Sequence, residues 1–106
     1  MNIIGITACT AGIAHTYIAK EKLVRAAEAR NHHVKIETQG TIGIEDELTV
    51  NDIKTADVVI IAADIGIKGL ERFEGKRVVN VATSIVIKSP NVLLEKIEQK
   101  ICKVGG

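Results

Sequence analysis

Residues 2–17 read NIIGITACTAGIAHTY, and this stretch decides the fold. Residues 2–8 form a short, largely apolar run rich in β-branched side chains, which is typical of a strand covered on both faces. Residues 14–30 then carry helix-forming side chains, with the apolar ones on one side of the predicted helix. The stretch therefore predicts a strand, a loop of small residues and a helix, in that order.

The remainder of the chain continues the alternation of strands and helices. Residues 34–38, 58–63 and 77–81 predict three further strands, and the second of these segments is apolar throughout, as a central strand is. A capping pattern at Thr49 predicts the start of a short helix. The pair formed by Ser89 and the proline after it predicts the start of a final helix.

Strands that alternate with helices predict a parallel sheet with right-handed crossovers. We expect a single α/β domain over residues 1–106, in which a four-stranded parallel sheet has the order 2-1-3-4 and carries helices on both faces. The glycines in residues 39–43, QGTIG, are expected to end the second strand and to open a loop.

Composition excludes several classes of function. The 106 residues are 46% apolar and 25% charged, with a net charge of +1, so no surface for nucleic acid is expected. No apolar run approaches the roughly 20 residues that a membrane span needs, and there is no signal-peptide pattern, so we expect a cytoplasmic protein. Tyr17 and Phe73 are the only aromatic residues, which leaves no stacking platform for a nucleotide or a flavin.

The two cysteines, Cys9 and Cys102, are far apart and lie outside any Cys-x-x-Cys pattern. Neither a zinc site nor a redox pair is therefore predicted, and both residues are expected as thiols in a reducing compartment. Cys102 falls in the last turn of the final predicted helix and is expected to be a packing residue. We expect no metal and no other cofactor.

Cys9 follows the first strand at the point where the predicted strand order reverses. Ligands of open parallel sheets bind outside the carboxyl ends of the strands at such a reversal. The loops of residues 9–16, 39–43 and 64–69 should converge there. The sequence thus places Cys9 at the expected binding site of this architecture.

Three side chains near these loops are candidates for the rim of the pocket. Gln39 lies at the end of the second strand, and Tyr17 either joins the rim or packs in the core. Asp64 ends the third strand, and we interpret it as a loop-capping residue because no second acidic residue is placed to share a metal ion with it. His32 and His33 precede the second strand, at the opposite end of the sheet, and are expected on the surface.

The loop after Cys9 is suited to phosphate. The amides at a helix N-terminus favour both a thiolate and a bound phosphate group, and a backbone with small side chains can approach the phosphoryl oxygens closely. Thr16 adds a hydroxyl donor, whereas His15 either contacts the phosphate or makes a structural hydrogen bond. These features predict a cysteine that accepts and then donates a phosphoryl group. The predicted phosphate-binding loop comprises Thr10, Ala11, Gly12, Ile13, Ala14, His15 and Thr16.

Other families fit the same residues less well. Cys9, followed after five residues by His15 and then Thr16, is similar to the loop of low-molecular-weight tyrosine phosphatases, but an imidazole cannot replace their arginine fork. The only proline is Pro90, so no Asp-Pro pair supplies a general acid. A dinucleotide site is excluded because Gly12 stands alone where three glycines are expected. A small cysteine phosphatase or arsenate-reductase-like enzyme remains an alternative, as does a non-catalytic module that binds a partner.

Several segments together resemble the IIB component of the fructose family of the bacterial phosphoenolpyruvate-dependent sugar phosphotransferase system. The similarity covers nearly the whole chain. The segments that carry it are residues 9–16, 37–40, 45–52, 56–65 and 71–73.

The resemblance implies a phosphoryl carrier. It implies that Cys9 becomes a phosphocysteine, which takes phosphate from a phosphohistidine of a IIA partner and passes it to fructose or a related sugar held by the membrane permease IIC. We expect a monomer that meets the inner face of the cell membrane transiently. The family commonly has Pro and Thr after the nucleophile, where this chain has Thr10 and Ala11, so one hydroxyl moves and a rigid φ is lost.

Overall fold

The computed structural model describes residues 1–9, 13–40 and 43–105. Strands and helices alternate along the chain, with one 3₁₀ helix at Leu70–Phe73. The strands are β1 (Asn2–Ala8), β2 (His33–Gly40), β3 (Gly43–Glu45), β4 (Val58–Ala63) and β5 (Val78–Val81). The helices are α1 (Ile13–Ala29), α2 (Val50–Thr55), α3 (Thr83–Lys88) and α4 (Pro90–Gly105).

The strands form one mixed sheet of five strands in the order β3-β2-β1-β4-β5. Strand β1 pairs in parallel with β2 and β4, and β4 pairs in parallel with β5, so the predicted relative order of these four strands is confirmed. The predicted four-stranded, wholly parallel sheet was wrong, because β3 adds a fifth, antiparallel strand beside β2.

The extra strand arises at the glycines that were expected only to end β2. Gly40 and Gly43 are paired partners in the antiparallel ladder between β2 and β3. Gly43 has a φ of +105°, a backbone conformation that side chains with a Cβ rarely adopt. The chain therefore turns back along the edge of β2 instead of leaving the sheet, and it covers that edge with three residues.

Strand β1 is central because both of its faces are covered. Every residue from Ile3 to Ala8 is buried, and the strand has a parallel partner on each side. Gly5 leaves room for a close neighbour, since a Cβ built there would lie 2.5 Å from the carbonyl oxygen of Ile60 on β4. The apolar run at the start of the chain thus sets the middle of the sheet, and Cys9 comes directly after it.

Helices cover both faces of the sheet, as predicted. On one face α1, α3 and α4 pack over a large apolar cluster, and on the other α2 and the 3₁₀ helix close a smaller one. The first cluster is built around Ile3, Leu23, Ile36, Ile60, Val86 and Leu94. The second is built around Ile4, Ile6, Leu48, Val59, Ile61 and Phe73.

Two of the predicted helix starts are confirmed. The side chain of Thr49 accepts a hydrogen bond from the amide of Asp52, at 3.1 Å, and the Asp52 carboxylate accepts one from the amide of Thr49, at 2.9 Å. This reciprocal pair is a capping box. Helix α4 begins at Pro90, as expected. The prediction omitted α3, a six-residue helix.

None of the helices in the described part of the chain is long and apolar enough to cross a membrane.

Candidate functional site

The site is built around Cys9, the first residue after β1. Cys9 is buried, with 6% of its surface exposed, and helix α1 begins four residues later at Ile13. The first turn of α1 carries no acidic residue, so the positive end of its dipole is not neutralised there. The short connection between strand and helix thus holds the thiol near the N-terminus of a seventeen-residue helix.

Thr16 is the residue of α1 that reaches the thiol. Its hydroxyl lies 3.2 Å from the Cys9 Sγ, and Thr16 itself is 2% exposed. The hydroxyl of Thr7 on β1 donates to the carbonyl oxygen of Thr16 at 3.1 Å. Two contacts therefore fix the first turn of α1 against the end of β1, with a hydroxyl beside the sulfur.

The rest of the predicted phosphate-binding loop falls into two parts. Thr10, Ala11 and Gly12 lie outside the described residues, and so do their expected contacts with phosphate. Residues 13 and 14 form the start of α1, and His15 is exposed on the first turn of that helix.

A cavity of about 370 Å³ opens beside Cys9, within the size range of small-molecule sites. One wall is the hairpin of β2 and β3, and the other is the loop that follows β4. The cavity is lined by Cys9, Gln39, Gly40, Gly43, Ile44, Ile65, Gly66 and Lys68. The three loops predicted to converge at the carboxyl ends of the strands each contribute to this lining.

Tyr17 and Asp64, the other candidates for the rim, make structural contacts. The Tyr17 hydroxyl donates to the Glu45 carboxylate, which ties α1 to β3. Asp64 accepts hydrogen bonds from the amide and the hydroxyl of Thr83, at 3.2 and 2.5 Å. Asp64 thus caps the N-terminus of α3, which agrees with its interpretation as a capping residue.

A buried ion pair between Glu37 and Arg72 was not predicted from the sequence. Glu37 on β2 is fully buried, and its carboxylate oxygens accept hydrogen bonds from the Arg72 guanidinium at 2.9 and 3.0 Å. The amide of Leu48 also donates to Glu37, at 2.9 Å. Burial raises the pKa of Glu37, but the hydrogen bonds from Arg72, Gln39 and Leu48 outweigh it and hold that pKa below its usual value. The group is therefore a carboxylate.

Gln39 connects this ion pair to the wall of the cavity. Its side-chain nitrogen donates to Glu37 at 2.8 Å and to the carbonyl oxygen of Lys68 at 3.0 Å. Its side-chain oxygen accepts from the amide of Lys68 at 2.9 Å. The Gln39 side chain therefore binds both the amide and the carbonyl of residue 68.

The sequence did contain a sign of this network. Glu37 directly follows the apolar Ile36 within the second predicted strand, and the polar Gln39 comes two residues later, so the two polar side chains point to the same face of the sheet. Such groups are buried only when they are paired. The partner Arg72 lies 35 residues away in sequence, beyond the reach of a local pattern.

The expectation that His32 lies on the surface was wrong. Its side chain is only 11% exposed, because Nε2 lies 2.5 Å from the Glu98 carboxylate of α4. Glu98 also accepts from the Arg30 guanidinium at 2.7 and 2.5 Å. His33 is exposed, as expected. This cluster lies at the opposite end of the sheet from Cys9.

Within the described parts of the chain, no group of three or more His, Cys, Asp or Glu side chains could hold a metal ion. Among the described residues, the polar side chains that line the cavity are the Cys9 thiol, the Gln39 amide and the Lys68 ammonium group, and the Thr16 hydroxyl lies 3.2 Å from the thiol. This set can bind and transfer an anionic group, and it includes no ligand cluster for a cation.

Comparison with known proteins agrees with this arrangement. Residues 4–96 match a family model described as the lactose/cellobiose-specific IIB subunit of the PTS. The "PTS system fructose-like EIIB component 2" of Escherichia coli K12 is 50% identical over 103 residues, which are 97% of each chain. The "PTS system fructose-specific EIIABC component" of Bacillus subtilis is 42% identical over 94 residues, which are 89% of this chain and 15% of that protein.

The fold comparison gives the same family. The solution structure of an enzyme IIB subunit of the PTS from Escherichia coli K12 superimposes with a TM-score of 0.93 and 34% identity, over 99% of this chain and 97% of that one. The chain therefore belongs to the IIB family of the bacterial sugar phosphotransferase system, as a phosphotransferase component of the fructose type.

Proposed function

We propose that the protein is a phosphoryl carrier in which Cys9 accepts phosphate from a phosphohistidine of a IIA partner and donates it to a sugar held by a IIC permease. One observation carries this proposal. The thiol of Cys9 is held at the carboxyl end of β1, 3.2 Å from the Thr16 hydroxyl and beside a cavity of about 370 Å³.

The first step forms a bond between sulfur and phosphorus. The Cys9 thiolate attacks the phosphorus in line, the bond to the donor's imidazole nitrogen breaks, and the imidazole takes up a proton from solvent. In the second step a sugar hydroxyl attacks the same phosphorus, the bond to sulfur breaks, and the hydroxyl loses its proton to solvent. The thiolate is regenerated, so the protein ends each cycle unchanged.

The N-terminus of α1 supports the charged intermediate. Phosphorylation adds about two negative charges at Cys9, by analogy with other phosphorylated side chains. An anion at a helix N-terminus is stabilised by unpaired amides and by the dipole, and the first turn of α1 has no acidic residue to oppose it. We propose that residues 10–14 donate their amides to the phosphoryl oxygens and that Thr16 donates its hydroxyl. We propose that His15, which is exposed on the same turn, belongs to the same phosphate-binding loop.

The names of the relatives support the proposed partners and sugar. The name of the Bacillus subtilis relative joins A, B and C components in one chain, which supports IIA and IIC as the partner types. We propose that IIB acts here as a monomer, meets IIC at the inner face of the membrane, and serves fructose or a related sugar. A single mass in light scattering, equal to that of one chain, is the expected result for the monomer.

Phosphoryl transfer can be followed by mass spectrometry. The protein is mixed with phosphoenolpyruvate, the general phosphotransferase proteins and a candidate IIA, and any added phosphate is located on the peptides. We expect one phosphoryl group on Cys9 that persists until IIC and sugar are added. Cys9→Ser should lose the label, whereas the matched change Cys102→Ser should keep it.

Two outcomes would contradict the carrier. Rapid release of free phosphate by the protein alone would indicate a phosphatase. Phosphate on a histidine of this chain, or no label at all with an active donor, would remove Cys9 from the transfer.

A further inference from the structure

The Gln39 side chain binds the loop after β4, and its amide group can do so in only one orientation. The Lys68 amide can only donate and the Lys68 carbonyl can only accept, so the amide of Gln39 must present its oxygen to the first and its nitrogen to the second. In these two hydrogen bonds, at 2.9 and 3.0 Å, each side supplies one donor and one acceptor, as two residues do when they pair between strands. They hold the segment that contributes Ile65, Gly66 and Lys68 to the cavity beside Cys9.

Glu37 selects that orientation of the amide. The carboxylate accepts from the Gln39 nitrogen at 2.8 Å and would repel the oxygen if the amide were reversed. Arg72 holds Glu37 through two hydrogen bonds, and Arg72 also donates to the carbonyl oxygen of Gly69 at 2.8 Å. The loop after β4 is thus bound by both side chains: Gln39 holds the amide and the carbonyl of Lys68, and Arg72 donates to the carbonyl oxygens of Gly69 and, at 3.3 Å, of Lys68.

A stabilising role alone explains this network poorly. Removing a carboxylate from water has a high cost, and apolar replacements of buried ion pairs often leave proteins as stable or more stable. Glu37 accepts a hydrogen bond from the amide of Leu48, which belongs to the smaller apolar cluster. What an apolar residue could not do is orient the Gln39 amide.

We propose that Arg72, Glu37 and Gln39 form a positioning network for phosphoryl transfer at Cys9, which fixes the wall of the cavity formed by residues 65–68 in the conformation that receives the phosphorylated donor. This inference rests on the proposed function, because it assigns the network to the transfer at Cys9. None of the three residues touches the reacting atoms in this role. Their effect is on how the donor fits against the cavity.

The test uses Gln39→Met, which keeps the length of the side chain but removes all three hydrogen bonds. The matched control is Gln99→Met at an exposed position of α4. The rate of phosphate transfer from the phosphorylated IIA partner to Cys9 is measured against donor concentration. We expect an apparent KM about tenfold higher in Gln39→Met and a maximal rate changed by less than about threefold, since the network affects binding rather than chemistry.

Amide hydrogen exchange reports the contact itself. The Lys68 amide should exchange slowly in the wild type and in Gln99→Met, and quickly in Gln39→Met. The amide of Val59, which donates to the Arg77 carbonyl in the sheet, should stay protected in all three proteins. Arg72→Lys keeps the charge but cannot form the paired contact, so it should raise the KM in the same direction by a smaller factor.

Each other outcome overturns the inference. Fast exchange at Lys68 with an unchanged KM would make the contact purely structural, and slow exchange at Lys68 in Gln39→Met would show that Gln39 does not hold the loop. If the Val59 amide in Gln39→Met lost as much protection as the Lys68 amide, the faster exchange would reflect a lower global stability of the variant. A wild-type protein that takes no phosphate on Cys9 would refute the proposed function itself, which is a distinguishable result.

Discussion

The hydroxyl of Thr16 and the sulfur of Cys9 lie 3.2 Å apart in a buried contact, and Thr16 is held in place by the hydrogen bond from Thr7 to its carbonyl oxygen. The contact joins the end of the central strand to the first turn of α1. The hydroxyl oxygen therefore lies beside the sulfur before any phosphate is bound. In the proposed transfer at Cys9, this arrangement would avoid the cost of ordering a polar group.

Replacing Thr16 by valine should slow phosphoryl transfer to Cys9 by about ten- to a hundredfold. A hydrogen bond to a charged group contributes about 1.5–3 kcal/mol, and about 1.4 kcal/mol corresponds to a tenfold change in rate. Thr16→Ser keeps the hydroxyl and should retain most of the activity. Single-turnover transfer from phosphorylated IIA, followed by intact mass, measures both variants. Equal rates in the two variants would show that the hydroxyl takes no part.

Gly5→Ala should destabilise the protein by about 1–3 kcal/mol, the usual cost of overpacking. The added Cβ would lie 2.5 Å from the Ile60 carbonyl oxygen, which is backbone of the neighbouring central strand and cannot move aside cheaply. Gly66→Ala is the matched control, since a Cβ there meets nothing within 4 Å. Urea unfolding, followed by circular dichroism, measures the free energy of unfolding of both variants. A Gly5→Ala protein as stable as the control would refute the close approach of β1 and β4.

The central part of the fold could be predicted because its causes are local. The apolar run before Cys9, the helix formers after it and the capping box at Thr49 each act over a few residues, and the structure contains the elements that they predict. Placing Cys9 at the carboxyl end of the sheet required only the alternation of strands and helices.

The elements that were missed depend on contacts between distant residues. Helix α3 has six residues, and the group that caps it is the side chain of Asp64, in the loop directly after β4. Strand β3 has three residues and exists as the partner of β2. His32 is partly buried against Glu98, which lies 66 residues later in the chain. No pattern within a short window contains such partners.

Glu98 should make the stability of the protein depend on pH in the acid range. The hydrogen bond from Arg30 is the largest cause that lowers the pKa of Glu98, His32 adds to it against the effect of burial, and the result is about 2. Because the folded pKa lies below the ordinary value of 4.5, the ion pair stabilises the protein fully above pH 4.5 and is lost as pH falls toward 2.

Glu98→Gln tests this dependence. The variant should be less stable than the wild type near neutral pH by about 1 kcal/mol, as for partly exposed ion pairs, and the difference should shrink between about pH 4.5 and pH 2. Glu28→Gln, at an exposed position of α1, removes the same charge and serves as the control. Thermal unfolding over this pH range measures the differences. A gap between Glu98→Gln and wild type that stays constant down to pH 2 would contradict the assignment.

Thr7 and Thr38 offer a matched comparison, because they are paired partners on β1 and β2 and both are buried. The Thr7 hydroxyl donates to the Thr16 carbonyl oxygen, whereas the Thr38 hydroxyl has no hydrogen-bond partner among the residues that the structure describes. Valine has nearly the same shape as threonine, so the substitution isolates the hydroxyl. Thr7→Val should lower the free energy of unfolding by about 1 kcal/mol, and Thr38→Val should leave it unchanged or raise it. Urea unfolding of the two variants measures the change in the free energy of unfolding. A larger decrease in Thr38→Val than in Thr7→Val would contradict the assignment of the two hydroxyls.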